Sequence, residues 1–195
     1  MDIYRNFASL CRREVKGRDY DVHSIVRNPL GVVMAPHGGR IERFTAEVAY
    51  QIAGDLFSWY AFIGIRPRGN RRLHITSHRF DEPTALDVVA GARVVLAVHG
   101  LQQNAAIAMV GGRDAACSRQ VAAALSVAGF AVRPPVSGIG GMHPRNICNR
   151  GRTGRGVQLE LGAGLRRELM ASRRRMARFA RTVRGVLAAS LDTVE

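Results

Sequence analysis

The chain is poor in lysine and in acidic residues. Lys16 is the only lysine among 195 residues, so nearly all of the 29 basic side chains are arginine, and only 15 aspartates and glutamates oppose them. The formal net charge is therefore +14. Codon usage would explain the choice of arginine over lysine, but not the excess over acids. Because arginine binds carboxylates and phosphates in bidentate fashion, the surface is expected to attract a polyanion, either an acidic polymer or a nucleic acid.

Cysteines and long apolar runs are also scarce. Cys11, Cys117 and Cys148 are odd in number and far apart, which argues against a disulfide framework and against a cysteine-based zinc site. No apolar run reaches the length of a membrane-spanning helix, and the first residues, with Asp2 and Arg5, lack the apolar core of an export signal. These absences predict a cytoplasmic protein without a membrane span.

Short apolar runs rich in β-branched residues alternate with segments of helical periodicity. Without internal repeats or a dividing linker, this alternation predicts one α/β domain over residues 1–195, with a mixed, mainly parallel sheet covered by helices. Thr45 and Asp114 are the predicted N-caps of two helices. Strands are predicted at 31–35, 60–65, 94–98, 106–110, 130–132 and 157–161. Helices are predicted at 48–57 and from 114 to about 128. Two long loops, at 67–72 and 134–153, are predicted to lie over the functional site.

Two of the predicted buried strands end in a histidine followed by glycine. His37 follows the run 31–35, and His99 follows the run 94–98, while Glu42 lies five residues after His37. Ligands bind beyond the carboxyl ends of strands in open α/β sheets, so the three side chains form a candidate His₂Glu metal set. Three protein ligands that leave one position open are typical of catalytic zinc. Each histidine taken alone could equally be a hydrogen-bonded loop residue.

Glu160 is the candidate catalytic base. Val157, Leu159 and Leu161 alternate with Gln158 and Glu160, which predicts a strand with one apolar and one polar face. A carboxylate on the polar face could accept a proton from water, or could simply be a solvated residue of an edge strand. The sequence leaves both interpretations open.

Substrate-binding candidates surround this set. Arg113 follows the strand 106–110 through two glycines and is expected at the same sheet edge as the histidines, unless it pairs with a neighbouring aspartate. His78 is a further candidate, whereas His74 is interpreted as a structural residue inside an apolar strand. The remaining candidates lie in the loop that leads to Glu160 and are Arg145, Asn149 and Arg150.

A basic amphipathic helix is predicted at about 166–187. Leu169, Met176, Phe179 and Val183 lie near one face, and Arg166 with six further arginines dominates the others. Such a helix can bind a membrane surface or a nucleic acid, or it can pack its apolar stripe on the domain and leave its arginines in water. The packed arrangement is the prediction.

The chain resembles the phage-associated poly-γ-glutamate hydrolases, which are zinc-dependent and related in fold to the carboxypeptidases. The resemblance implies a Zn²⁺ ion held by His37, Glu42 and His99, Glu160 as general base, an anionic polyglutamate substrate, and release by lysis if a phage encodes the protein. The similar blocks span roughly residues 30–170 and lie at 35–42, 73–83, 98–100, 111–114, 146–151 and 156–161.

Three functions therefore follow from the sequence. The first is zinc-dependent hydrolysis of γ-glutamyl amide bonds, and the second is a small-molecule amidase or deacylase of the N-acyl glutamate type that uses the same residues. The third, less favoured, is nucleic-acid binding without catalysis, which predicts no zinc and a steep dependence on salt.

Overall fold

The computed structural model describes residues 2–136 and 138–192 and contains a seven-stranded mixed sheet. The strands lie side by side in the order β1-β3-β2-β4-β7-β5-β6. Their bounds are β1 (Tyr20–Ile25), β2 (Gly31–Gly39), β3 (Ser58–Gly64), β4 (Val94–Leu101), β5 (Ile107–Gly111), β6 (Ala131–Arg133) and β7 (Val157–Gly162).

The centre of the sheet is parallel, as the sequence predicts. β3, β2, β4 and β7 run in the same direction, while β1 pairs antiparallel with β3 and β5 pairs antiparallel with β7. Strands covered on both faces are typically near-continuous apolar runs. β4 fits this pattern, since it is buried from Val94 through His99 and is apolar up to Val98. Because the four central strands are parallel, their carboxyl ends lie at the same edge of the sheet.

Helices cover both faces. One core lies between the sheet and the helices α2, α4, α5 and α6, and a second core lies on the opposite face beneath α1 and α3. The helices are α1 (Phe7–Cys11), α2 (Thr45–Ala53), α3 (Pro83–Ala90), α4 (Ala115–Val127), α5 (Ala163–Ala171) and α6 (Arg173–Asp192). Within the described ranges, no helix is long and apolar enough to cross a membrane.

The start of α2 differs from the prediction. Phe44 rather than Thr45 is the N-cap, and it adopts a left-handed conformation with a φ of 74°. The Thr45 hydroxyl donates to the Glu42 carbonyl instead of capping the helix. The helix also ends at Ala53, four residues before the predicted end. Asp114, by contrast, caps α4 as predicted, because its carboxylate accepts from the Cys117 amide.

The predicted C-terminal helix is two helices, because the backbone is extended at Ser172 between α5 and α6. The apolar stripe is buried as predicted and packs in the core shared with α2 and α4. Arg166, expected in solvent, is the exception, since it is only 6% exposed. Its guanidinium lies among backbone carbonyls at the edge of the sheet where the central strands end.

Phe179 holds α6 against the rest of this core. Its ring is fully buried and meets the Phe130 ring edge to face, with centroids 4.9 Å apart. Phe179→Ala should lower the free energy of unfolding by about 3–5 kcal/mol, because it removes a fully buried ring and leaves a cavity in the core. Urea unfolding followed by circular dichroism measures this loss. Arg178→Ala, one residue away and exposed, should change stability by no more than about 0.5 kcal/mol. Equal losses in both variants would contradict the packing.

Candidate metal centre and active site

A β-bulge in β2 positions His37. Pairing with β3 is regular up to Ala35 and resumes at Gly38 after a shift of register. Pro36 within the bulge has no amide hydrogen to donate. Gly38 allows close packing there, since a Cβ atom would lie 2.9 Å from that of Ala46. The sequence predicted His37 beyond the strand end, but it lies within β2 and is 1% exposed.

A tight turn then returns Glu42 to the same place. The Glu42 amide donates to the His37 carbonyl over 2.9 Å, and the Glu42 Oε2 accepts from the Gly100 amide over 2.8 Å. Glycine at position 100 permits the close packing around this bond, because a Cβ there would lie 2.7 Å from Cζ of Arg166 and 3.0 Å from Cβ of Glu42. The carboxylate of Glu42 is thus fixed between β2 and β4.

His37, Glu42 and His99 come together with ligand atoms that lie within 4.8 Å of one another. The two Nδ1 atoms are 3.2 Å apart, His37 Nδ1 is 3.3 Å from Glu42 Oε1, and His99 Nδ1 is 3.7 Å from Glu42 Oε2. Two nitrogens bound tetrahedrally at the usual zinc distance of about 2.0–2.1 Å would be about 3.3–3.4 Å apart. The nitrogen and oxygen donors present therefore fit a zinc ion.

Hydrogen bonds to the outer ring nitrogens support the same interpretation. His37 Nε2 donates to the Ile75 carbonyl over 2.8 Å, so in the neutral ring Nδ1 is the nitrogen with a lone pair. His99 Nε2 lies 3.4 Å from the Ser77 hydroxyl. Metal-bound histidines usually donate their second N–H to such a partner, which fixes the tautomer and the ring orientation.

The charges within the set are strongly coupled. Burial would raise the pKa of Glu42, but the ionic and hydrogen-bonding interactions with His37 and His99 outweigh burial and hold that pKa well below its usual value. Burial would likewise lower the pKa of His99, yet the hydrogen bond with Glu42 and the negative charge of Glu160 raise it. Glu42 is therefore ionised at neutral pH, as a metal-binding carboxylate must be.

Glu160 lies beside this set on β7. It is in register with His99 on the neighbouring strand and is 8% exposed, so it is not a solvated residue of an edge strand. Gln158 donates to its Oε1 over 2.9 Å, and Asn146 donates to Gln158 over 2.8 Å. Burial raises the pKa of Glu160, although the positive charge of His99 partly opposes the rise. A carboxylate of raised basicity is suited to accept a proton.

His74 belongs to the site, although the sequence placed it in a structural strand. It follows a short 3₁₀ helix, Asn70–Leu73, and its ring packs on that of His37 with centroids 4.0 Å apart. Nδ1 lies 2.7 Å from the carboxylate of Asp2, and Nε2 lies 3.8 Å from Glu42. Burial and the adjacent His37 lower its pKa to about 4. Neither local periodicity nor spacing signalled this position.

A cavity of about 300 Å³, which we call the catalytic cavity, is lined by His37, Glu42, His74, His99 and Glu160. His78, predicted as a substrate-binding residue, also lines it and stacks on His143 with centroids 4.7 Å apart. His143 belongs to a glycine-rich segment, residues 138–143, that also borders the cavity. The Gly112 amide donates to the Gly140 carbonyl over 2.7 Å, so this segment is attached to the end of β5.

Three of the other candidates lie outside the catalytic cavity as the structure describes it. Asn149 is buried and organises the loop by donating to the carbonyls of Gly141 and His143 and accepting from the Gly156 amide. Arg145 and Arg150 line a separate cavity next to His78. Asn149 thus has a structural environment, whereas Arg145 and Arg150 remain near the site without facing the metal set.

Arg113 was expected at the wrong edge of the sheet. β5 runs antiparallel to β7, with Met109 opposite Glu160 and Gly111 opposite Gln158, so the chain leaves β5 at the end remote from Glu160. Arg113 is exposed there and is not among the described residues that line the catalytic cavity. The prediction assumed that β5 was parallel to its neighbours, and local sequence carries no signal of strand direction.

The fold and the site define an α/β protein with a candidate metal centre at the edge where its parallel strands end. Residues 4–188 match the model of a family described as poly-gamma-glutamate hydrolase. The chain belongs to this family, which confirms the resemblance predicted from the sequence, and the family is one of hydrolases.

Named relatives occur in Bacillus subtilis. The chain is 36% identical to the UPF0714 protein YmaC over 82% of its own length and 68% of YmaC. It is 35% identical to the UPF0714 protein YndL over 86% of its own length and 67% of YndL. The SPbeta prophage-derived YoqZ is 34% identical, over 86% of this chain and 61% of YoqZ.

Two solved structures share the fold. A bacteriophage poly-gamma-glutamate hydrolase superposes with a TM-score of 0.91 at 29% sequence identity, covering 98% of this chain and 99% of that one. A structure of YndL described as apo and zinc-free gives a TM-score of 0.89 at 33% identity, covering 97% and 99%.

Zinc affinity should weaken as the pH falls. Since the pKa of His99 is raised in the metal-free site, a proton competes with the metal for Nδ1 below that pKa, and zinc must displace it. Calorimetric titration of zinc into chelator-stripped protein should show at least ~10-fold tighter binding at about pH 8 than at about pH 6. His23→Ala, which changes an exposed histidine on β1, should show the same dependence. Affinity independent of pH would contradict the proposed competition.

Proposed function

We propose that the protein is a zinc-dependent hydrolase that cleaves γ-glutamyl amide bonds of poly-γ-glutamate. The observation that carries the proposal is the metal set, with His37 and His99 buried and Glu42 partly buried, and the basic carboxylate of Glu160 beside it, in a member of the poly-gamma-glutamate hydrolase family. The large positive net charge suits a substrate with a carboxylate on every residue.

His37, Glu42 and His99 would hold the metal. Two imidazoles and one carboxylate match the nitrogen and oxygen donors of catalytic zinc sites and leave one position open. When bound, zinc supplies a Lewis acid that polarises the amide carbonyl and lowers the pKa of water. The carboxylate of Glu42 neutralises part of the added charge, and its bond from Gly100 keeps it oriented.

Glu160 performs the proton transfers in this proposal. Its raised pKa favours acceptance of a proton from the attacking water, and the protonated acid can then deliver that proton to the leaving nitrogen. Gln158 and Asn146 form a chain of hydrogen bonds that fixes one oxygen of Glu160. Glu160 thus acts first as the general base toward water and then as the general acid toward the leaving nitrogen.

A small-molecule amidase remains the second candidate, because the chemistry at the metal would be the same. The product distribution distinguishes the two functions. A polymer hydrolase yields oligomers from long poly-γ-glutamate, whereas an amidase of the N-acyl glutamate type leaves the polymer intact. A nucleic-acid-binding protein would cleave neither substrate and would bind no stoichiometric zinc.

Glu160→Gln should separate binding from chemistry. The amide is isosteric and can still accept from Gln158, so fold and zinc content should be retained, while turnover of poly-γ-glutamate should fall by at least ~10². Glu42→Gln should instead lose zinc, because it removes a charged ligand. Zinc content by elemental analysis and cleavage by chromatography of the products measure both effects.

The matched control is Glu47→Gln, which replaces an exposed carboxylate on α2. This variant should retain both zinc and turnover. Near-normal turnover in Glu160→Gln would refute its role as base even if about one zinc per chain is found. Full zinc occupancy in a His37→Ala, His99→Ala double variant would remove this metal site from consideration.

A further inference from the structure

A second cavity of about 460 Å³ lies next to the catalytic cavity. The two share Glu42, Arg71, Gly100 and Gln102 among their lining residues, so they are adjacent across a common boundary. We call the second one the arginine cavity, because five arginines line it: Arg40, Arg43, Arg71, Arg166 and Arg167.

Positive charge in the arginine cavity is in excess of negative charge. Glu42 is the only acidic residue among the described residues that line it, and its carboxylate is engaged by Gly100, His37 and His99. Arg43 and Arg71 are exposed, and neither guanidinium has an ion-pair or hydrogen-bond partner among the residues that the structure describes. Their donors are therefore available to a ligand.

The other arginines contact neutral oxygens only. Arg40 donates to the Arg66 carbonyl over 2.9 Å, and Arg167 donates to the Asn104 side chain over 2.8 Å. Each bond uses one nitrogen of the guanidinium and cancels none of its charge. An incoming anion would thus meet four exposed guanidinium groups that carry their full charge into the cavity.

Arg166 makes part of the cavity rigid. It is 6% exposed, and it donates to the carbonyls of Leu161, Arg43 and Leu101, with the Leu101 bond 2.7 Å long. These carbonyls belong to β7, to the turn after Glu42 and to β4, so one side chain connects all three segments. α5 also begins at Ala163 beside the cavity, and its N-cap, Gly162, has no side chain to satisfy the helix amides.

We infer that the arginine cavity binds a free α-carboxylate of a glutamyl residue one or more units away from the scissile bond. This inference rests on the proposed function, because the polymer must occupy the adjacent catalytic cavity. A γ-linked chain uses the side-chain carboxyl group in its amide bonds, so every internal residue retains a free α-carboxylate. Arg43 and Arg71 bind that group with charge-assisted hydrogen bonds, and the fixed backbone around Arg166 reduces the cost of ordering the site.

Binding of γ-linked glutamate oligomers tests the inference. In the Glu160→Gln background, which is expected to bind without cleaving, calorimetry should show tighter binding of a hexamer than of a dimer, because only the hexamer spans both cavities. Adding Arg43→Ala and Arg71→Ala should reduce the affinity for the hexamer by at least ~10-fold and abolish its advantage over the dimer.

A matched pair of substitutions controls for the general positive field. Arg119→Ala with Arg178→Ala removes the same charge from exposed positions on α4 and α6, and should keep the hexamer advantage. Retention of that advantage in the Arg43→Ala, Arg71→Ala variant would overturn the inference, as would equal losses in both pairs. Cleavage of the polymer by the unsubstituted protein is measured in parallel. If the unsubstituted protein does not cleave the polymer, the proposed function and the subsite are both overturned. If it cleaves the polymer but the Arg43→Ala, Arg71→Ala variant still binds the hexamer more tightly than the dimer to the same degree, the subsite alone is overturned.

Discussion

The hydrogen bond from the Gly100 amide to the Glu42 carboxylate is the interaction on which the site depends. It joins the turn after β2 to the end of β4, and the strands β2 and β4 carry His37 and His99. Two buried histidines beside a partly buried carboxylate lose hydration, and this loss must be offset by a fixed arrangement of opposite charges. The ionised carboxylate between two imidazoles provides that arrangement, and Arg166 maintains the backbone around it.

The bulge in β2 is the second requirement. A regular strand would carry residues on alternate faces without interruption, and the register shift between Ala35 and Gly38 changes where the side chain of His37 points. The bulge places His37 at hydrogen-bonding distance from both His99 and the Ile75 carbonyl. The irregularity in β2 therefore lies at the residue that is proposed to bind the metal.

Much of the sheet could be predicted from the sequence, because strands buried on both faces are typically near-continuous apolar runs. The runs before His37 and His99 satisfied this rule, and the rule that parallel strands end at one edge brought the two histidines together. The alternation in β7 similarly indicated which face Glu160 occupies. These inferences needed only local patterns and one rule of topology.

Other features depend on contacts between distant segments and could not be predicted. The direction of β5 is set by its pairing with β7, so Arg113 was assigned to the wrong edge. His74 reaches the site through Asp2 and His37, which lie far from it in sequence. Arg166 looked like one more solvated arginine on a basic helix, although its position beneath Gly100 gives its guanidinium three backbone acceptors.

The attachment of residues 138–143 to the end of β5 has a consequence for how this chain tolerates mutation. A Cβ at Gly111 would lie 2.5 Å from the Gly140 carbonyl oxygen, and one at Gly112 would lie 2.1 Å from that of Gly156. Gly112 also has a φ of 111°, which side chains rarely adopt. A replacement at Gly111 must displace the segment that borders the catalytic cavity, and a replacement at Gly112 must displace the backbone at the start of β7, which carries Glu160. In a saturation screen for activity, both glycines would therefore be as intolerant of replacement as residues that take part in the reaction, although they lie at the far end of β5 from Glu160.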